Sequence, residues 1–212
     1  MSKIEVDQID PQSGTTLTLG TSGDTVTIPS GVSLAPGGGL TLTGALAVDG
    51  GTVKLDGNYP TGTDNVALGD TALDSVEAGG TNNVAIGDNA GTAITTGDNN
   101  TAVGKDALKA TTTSANNTAI GSCALDANTT GSSNTAVGRN SLGSNIDAVF
   151  NTAVGHNSLA TNSTGDNNTG IGYNALVSNT TASNNTSVGF CSLYANTTAS
   201  CNTVVGKSAM AA

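Results

Sequence analysis

The sequence predicts an all-β protein in which nine short repeats stack as a β-roll or β-solenoid. One motif first occurs at 65–69 and returns eight times, after an interval of 18 residues and then seven of 17. Large side chains are scarce, because aromatic residues make up 2% of the chain and Trp is absent, whereas Gly occurs 29 times. A fixed period of this length with mostly small residues indicates stacked coils rather than a conventional core.

The motif has two invariant positions, an opening Asn and a closing Gly. The Asn is expected to lie over its counterpart in the next coil and form an amide ladder. The Gly is expected where the backbone needs a positive φ or approaches another backbone closely. The Asn residues are Asn65, Asn83, Asn100, Asn117, Asn134, Asn151, Asn168, Asn185 and Asn202. The repeat glycines are Gly69, Gly87, Gly104, Gly121, Gly138, Gly155, Gly172, Gly189 and Gly206.

The residues between the Asn and the Gly predict a short β-strand. They alternate, are rich in β-branched side chains and end at Gly. The connecting segments, such as 128–131, contain the Asn, Thr and Gly residues typical of turns. Each repeat is therefore expected to be one β-coil, stabilised mainly by stacking on its neighbours.

Two apolar columns are expected to be buried. The first, which we call the aliphatic column, immediately precedes the Gly and comprises Leu68, Ile86, Val103, Ile120, Val137, Val154, Ile171, Val188 and Val205. The second, the leucine column, lies four residues after the Gly and comprises Leu73, Gly91, Leu108, Leu125, Leu142, Leu159, Leu176, Leu193 and Met210. Ala or Ser precedes every member of the leucine column, which indicates a tight contact beside it.

The segment before the repeats differs in kind. Residues 16–64 contain short alternating runs separated by Gly, Asp or Pro, and strands this short do not form an independent core. We expect a thin β-rich stalk in which three chains share one axis. Residues 1–15 are expected to form an attachment peptide through Ile4, Val6 and Ile9. The nine-repeat β-roll then covers 65–212.

Composition excludes several classes of function. The net charge of -10 disfavours nucleic acid, because phosphate binding needs clustered Lys and Arg. No apolar run is long enough to span a bilayer, and the opening residues show no export signal. The three Cys are odd in number and the single His has no partners for a triad or zinc site, so we expect no enzyme, metal or cofactor.

The most varied column follows the repeat Gly, and variation at one place in a rigid stack predicts solvent exposure. Its members are Asp70, Asp88, Lys105, Ser122, Arg139, His156, Tyr173, Phe190 and Lys207. Candidate surface contacts to a glycan or another protein are Arg139, His156, Tyr173 and Phe190, together with Tyr194. A merely solvated stripe is the competing interpretation.

Two pairs of residues with reactive side chains occupy shared columns of the repeat. Asp70 and Asp88 lie in adjacent coils at about 5 Å by strand spacing, which is also the carboxylate separation of a retaining glycosidase. Solvated charge remains the favoured interpretation, ahead of cation binding and catalysis. Cys123 and Cys191 lie four coils apart, too far for a disulfide, and are expected to be small buried fillers.

The repeat unit Asn-Thr-Ala-Val-Gly-x-x-Ala-Leu resembles the SVAIG-type head repeats of trimeric autotransporter adhesins over about 65–212. That resemblance implies a homotrimeric β-roll. The opening KIEVDQIDPQSGTTLTLG at 3–20 is similar to the N-terminal segment of marine bacteriophage tail-fibre proteins. It implies a virion component made in the host cytoplasm, joined through its N-terminus to a tail or baseplate protein. A distal receptor-binding protein or a host surface glycan would then be the outer partner.

Two alternatives remain open from sequence. One is the head fragment of a bacterial trimeric adhesin. The other is an ice-binding β-solenoid, which needs a regular Thr-x-Thr face. The chain has one Thr column, from Thr101 to Thr203, but the residue two places on is aliphatic.

Overall fold

The computed structural model describes residues 64–211, which form a β-solenoid of about eight turns. One parallel sheet contains nine strands in chain order, and no helix occurs in this range. The strands are β1 (Val66–Leu68), β2 (Val84–Ile86), β3 (Thr101–Val103), β4 (Thr118–Ile120), β5 (Thr135–Val137), β6 (Thr152–Val154), β7 (Thr169–Ile171), β8 (Thr186–Val188) and β9 (Thr203–Val205). The predicted all-β repeat fold is confirmed. The expected stalk and attachment peptide lie outside the described residues.

Every strand pairs with the equivalent residues of the next repeat. Between β4 and β5, for example, Ala119 lies opposite Ala136 and Ile120 opposite Val137. The N–H of Thr118 donates to the Asn134 carbonyl at 2.9 Å. At about 4.8 Å per strand, the eight steps span about 38 Å.

Four left-handed positions per repeat turn the chain back within so short a coil. In the fourth coil they are Asn116 (φ 62°), Gly121 (φ 136°), Cys123 (φ 57°) and Leu125 (φ 51°). The same four positions have positive φ in all nine repeats. Asn and Asp tolerate this conformation, whereas Leu does not favour it. The Leu residues keep it because their side chains are fully enclosed.

The leucine column fills the interior of the coils, as predicted. Leu108, Leu125, Leu142, Leu159 and Leu176 have no exposed surface, and Leu73 and Leu193 are also buried. Met210, in the last coil, is the exception at 62% exposure. The Ala or Ser before each Leu packs against the middle residue of the strand, such as Ala119 or Ala136.

The prediction that the aliphatic column is buried is wrong for the single chain. Successive strand residues point to opposite faces, and the interior face is taken by the middle residue, Ala in most strands. The leucine column leaves room there only for a small side chain. The residues that therefore point outward are Leu68, Ile86, Val103, Ile120, Val137, Val154, Ile171, Val188 and Val205. Six of them are 36% to 71% exposed, and Val103, Val137 and Val188 are half-buried.

Candidate interaction surface

The strands present a flat outer face made of two parallel columns. One is the aliphatic column, and the other is the residue two positions earlier, which is Thr from β3 onward and is half-buried in every strand but the last. We call this surface the outer strand face. It runs over all nine strands without a charged side chain. A continuous exposed apolar ridge of this kind marks an interaction surface.

The repeat Gly lets neighbouring coils approach closely beside this face. A Cβ on Gly138 would lie 2.6 Å from the carbonyl carbon of Gly155, closer than any side-chain atom tolerates. Its φ of 133° is also unfavourable for other residues. Both reasons predicted for the invariant Gly are thus confirmed. The side chains that follow these glycines are held one above another.

In the C-terminal half, this register stacks three rings. His156 and Tyr173 lie 5.4 Å apart between ring centroids at an angle of 17°, and Tyr173 and Phe190 lie 5.2 Å apart at 11°. At one end Arg139 Nη1 lies 3.0 Å from His156 Nε2, and at the other Lys207 Nζ lies 5.8 Å from the Phe190 centroid. We call these five residues the cation–aromatic column.

The two cations of this column have no carboxylate partner among the described residues. A guanidinium nitrogen only donates, so His156 Nε2 accepts the bond from Arg139 and the imidazole proton lies on Nδ1. Nδ1 is buried and has no hydrogen-bond partner within the described part of the chain. Tyr173 and Phe190 are 45% and 49% exposed. The predicted exposure is confirmed for Arg139, Tyr173, Phe190 and Lys207, whereas His156 is half-buried.

In the N-terminal coils the same position after the Gly holds Asp70, Asp88 and Lys105, and Lys105 is ion-paired with Asp88. Lys105 Nζ lies 2.6 Å from Asp88 and 3.6 Å from Asp106, and Lys109 Nζ lies 3.2 Å from Asp106. The hydrogen bond from Asn89, with lesser contributions from Lys109 and Lys105, lowers the pKa of Asp106. The hydrogen bond to Asp88 is the main cause that raises the pKa of Lys105.

The structure places the remaining candidates apart from one another. Asp70 and Asp88 are both exposed, and Asp88 is ion-paired with Lys105, as expected of solvated charge. Tyr194 is 42% exposed and is not one of the stacked rings. Cys123 and Cys191 are only partly buried, so their interpretation as buried fillers is wrong. Both have a positive φ at the second position after the Gly.

The invariant Asn column forms the predicted ladder, but mainly with the backbone. Each side-chain oxygen accepts the N–H of the next Asn, eight times in succession at 2.8 to 3.0 Å. Direct amide-to-amide bonds occur at fewer steps, as from Asn100 to Asn83 at 3.1 Å. The ladder therefore joins one coil to the next through a buried side chain.

A second buried Asn ladder was missed by the sequence reasoning. It comprises Asn128, Asn145, Asn162, Asn179 and Asn196. Its amides also converge with the first column on shared carbonyls, since Asn117 and Asn128 both donate to Gly131 O at 2.9 and 3.0 Å. The signal was present, because Asn recurs seven residues after the Gly in five successive repeats. Val76, Ile94 and Thr111 occupy that position in earlier coils and hide the pattern.

No known family model matches this chain, and no curated protein or solved structure is significantly similar to it. Within residues 64–211, no group of His, Cys, Asp and Glu is arranged to hold a metal ion. The same range contains no helix of the length and apolar character that crossing a bilayer requires. Function must therefore be argued from the surface itself.

Proposed function

We propose that this chain is a structural subunit of a bacteriophage tail fibre that assembles as a homotrimer and contributes to host attachment. The observation that carries this proposal is the outer strand face, a ridge of Val, Ile and Leu along nine strands without a charged side chain. A ridge of this length is costly in water, since burial of each such side chain is worth about 1.5 to 3 kcal/mol.

Further copies of the same chain are the occupants that fit this ridge. Each copy has apolar rungs at one per coil in one strand register, so copies arranged around an axis meet rung by rung. The resemblance to trimeric adhesin heads sets the number at three. The second reason to expect shared packing is the sequence of 16–64, whose short predicted strands do not form an independent core.

The proposed role is mechanical. Parallel backbone bonds join every pair of coils, and two buried Asn ladders run beside them. A solenoid stabilised in this way forms a stiff spacer. The N-terminal peptide, with Ile4, Val6 and Ile9, would dock on a tail or baseplate protein. The β-roll would then project toward a distal receptor-binding protein or a host glycan, with three chains offering multivalent contacts.

Labelling of virions tests this proposal. Antibodies against residues 64–211 are applied to purified phage particles that contain this chain, and gold-conjugated secondary antibodies are located by electron microscopy. Label on the tail, together with slower host adsorption when purified protein is added in excess, is the expected result. Label confined to the bacterial surface of uninfected cells would instead favour the head fragment of a trimeric adhesin.

Ice binding is a second candidate that the structure makes more plausible. The aliphatic residue that follows each Thr by two positions points outward and is exposed or half-buried, so both columns share one regular face. A free, flat face is needed for ice and is buried in a trimer. Thermal hysteresis in a monomeric sample would favour this function, and its absence in a trimeric sample would exclude it.

A further inference from the structure

We propose that the cation–aromatic column binds an acidic polysaccharide. This inference rests on the proposed role in host attachment, because the host surface is where the chain would meet such a polymer. Its basis is a run of five exposed or half-exposed side chains on consecutive coils, Arg139 to Lys207.

Stacking decides which parts of the rings are available to a ligand. Tyr173 has His156 on one face and Phe190 on the other, Lys207 lies over the Phe190 ring, and Arg139 bonds to the edge of His156 at Nε2. The rings therefore present their edges to solvent. The edge of an aromatic ring is the positive part of its quadrupole, and the face is the negative part. A sugar cannot stack on the covered faces, but an oxyanion is attracted to the edges.

The charges of the column also favour an anionic ligand. The chain has a net charge of -10, yet both cations of this column lack carboxylate partners among the described residues. In contrast, Lys105 occupies the same column three coils before His156 and is paired with Asp88 at 2.6 Å. The positive character of the column is therefore uncompensated only in its C-terminal part.

The spacing of the charges favours a polysaccharide over a nucleic acid. Arg139 and Lys207 are four coils apart, about 19 Å at strand spacing. A DNA duplex carries one charge per about 1.7 Å, so about eleven phosphate charges would face two cations on an acidic protein. A polyuronate carries one carboxylate per sugar unit with neutral hydroxyls between them, so its charge is much sparser and suits two distant cations with ring edges and the Tyr173 hydroxyl between them.

The test measures binding of the full-length chain to polygalacturonate, with dextran as the uncharged probe. We expect saturable binding to polygalacturonate that weakens as salt rises, and none to dextran. The double variant Arg139→Gln/Lys207→Gln should bind about tenfold more weakly. The matched control is Lys105→Gln, which removes a paired cation from the same column and should bind as the unmodified chain does.

Three results would overturn the inference: equal binding to dextran, an equal loss with Lys105→Gln, or tighter binding to polyglutamate than to polygalacturonate. The last would assign the column to acidic peptides instead. Light-scattering mass is recorded on every sample. If the chain is trimeric but does not bind polygalacturonate, the binding proposal fails and the fibre proposal stands. If the chain is monomeric and binds polygalacturonate, the fibre proposal fails and the binding proposal stands.

Discussion

At the scale of single residues, the repeat Gly combines two separate constraints. Gly138 has a φ of 133° and lies against the backbone of Gly155, whereas Gly206 has nearly the same φ of 135° but only Ala209 near its missing Cβ, at 3.6 Å. The two positions share the backbone strain and differ in the contact. Substitution at each position therefore separates the cost of the close contact between coils from the cost of backbone strain.

We expect Gly138→Ala to destabilise the protein by about 3 kcal/mol or more, because strain of about 1 to 3 kcal/mol is added to a backbone clash. Gly206→Ala should cost only the strain. Urea denaturation followed by circular dichroism measures both. Equal losses for the two variants would show that the contact with the next coil contributes nothing.

Asp106 makes the stability of the fold depend on pH in the acidic range. Its pKa is lowered in the folded protein, chiefly by the hydrogen bond from Asn89, so its contribution is present above the unfolded pKa and lost as pH falls through the folded value. Asp106→Asn keeps an acceptor for Asn89 but loses the ion pairs with Lys105 and Lys109. We expect a slightly lower Tm than the unmodified chain at pH 7 and no difference at about pH 2. A difference that persists at low pH would contradict the assignment.

At the scale of the elements, the buried Asn ladders connect coils that have few large side chains. Asn117 accepts the N–H of Asn134 at 3.0 Å and donates to Gly131 O at 2.9 Å. Replacement with Ala leaves the buried Asn134 N–H without its acceptor, at about 1 to 3 kcal/mol, whereas Gly131 O keeps its bond from Asn128 at 3.0 Å. We expect Asn117→Ala to lower the free energy of unfolding by about 1 to 3 kcal/mol in urea denaturation. Thr130→Ala, at an exposed position, is the control and should change little.

Sequence reasoning predicted the strands, the Gly and the Asn ladder because strict 17-residue periodicity exposes invariant positions. It assigned the aliphatic column to the wrong face. A three-residue strand such as Thr118–Ile120 is too short for alternation to show which side is inside, and the larger residue was taken to be the buried one. Ala119 is buried instead, since Leu125 already fills the coil. The ring stack also could not be predicted, because ring orientation depends on three-dimensional packing.

Positive charges placed on the outer strand face should prevent the chains from associating. Ile120→Lys/Val154→Lys places charges on two exposed rungs, 41% and 36% accessible in the chain alone, that a trimer would bury. We expect the solution mass to fall to that of one chain, because buried unpaired charges are strongly unfavourable. Thr113→Lys/Thr130→Lys adds the same charge on exposed turns and should not alter the mass. Unchanged mass in both would show that this face is not the interface.

At the scale of the whole molecule, we expect the coils to fold within a single chain and the assembly to require further copies of that chain. Hydrogen bonds between coils are internal to the chain, whereas the apolar ridge is left outside. Coil formation and chain association are therefore separable. Variants on the outer strand face are expected to lose assembly while keeping their circular dichroism spectrum.

The light-scattering mass of the purified full-length chain, measured over a range of concentrations, tests the homotrimer most simply. We expect three times the chain mass of 20.5 kDa, independent of dilution in the micromolar range. A mass of one chain at every concentration would contradict the homotrimer. The outer strand face would then be free, and ice binding by a single-chain solenoid would become the leading function.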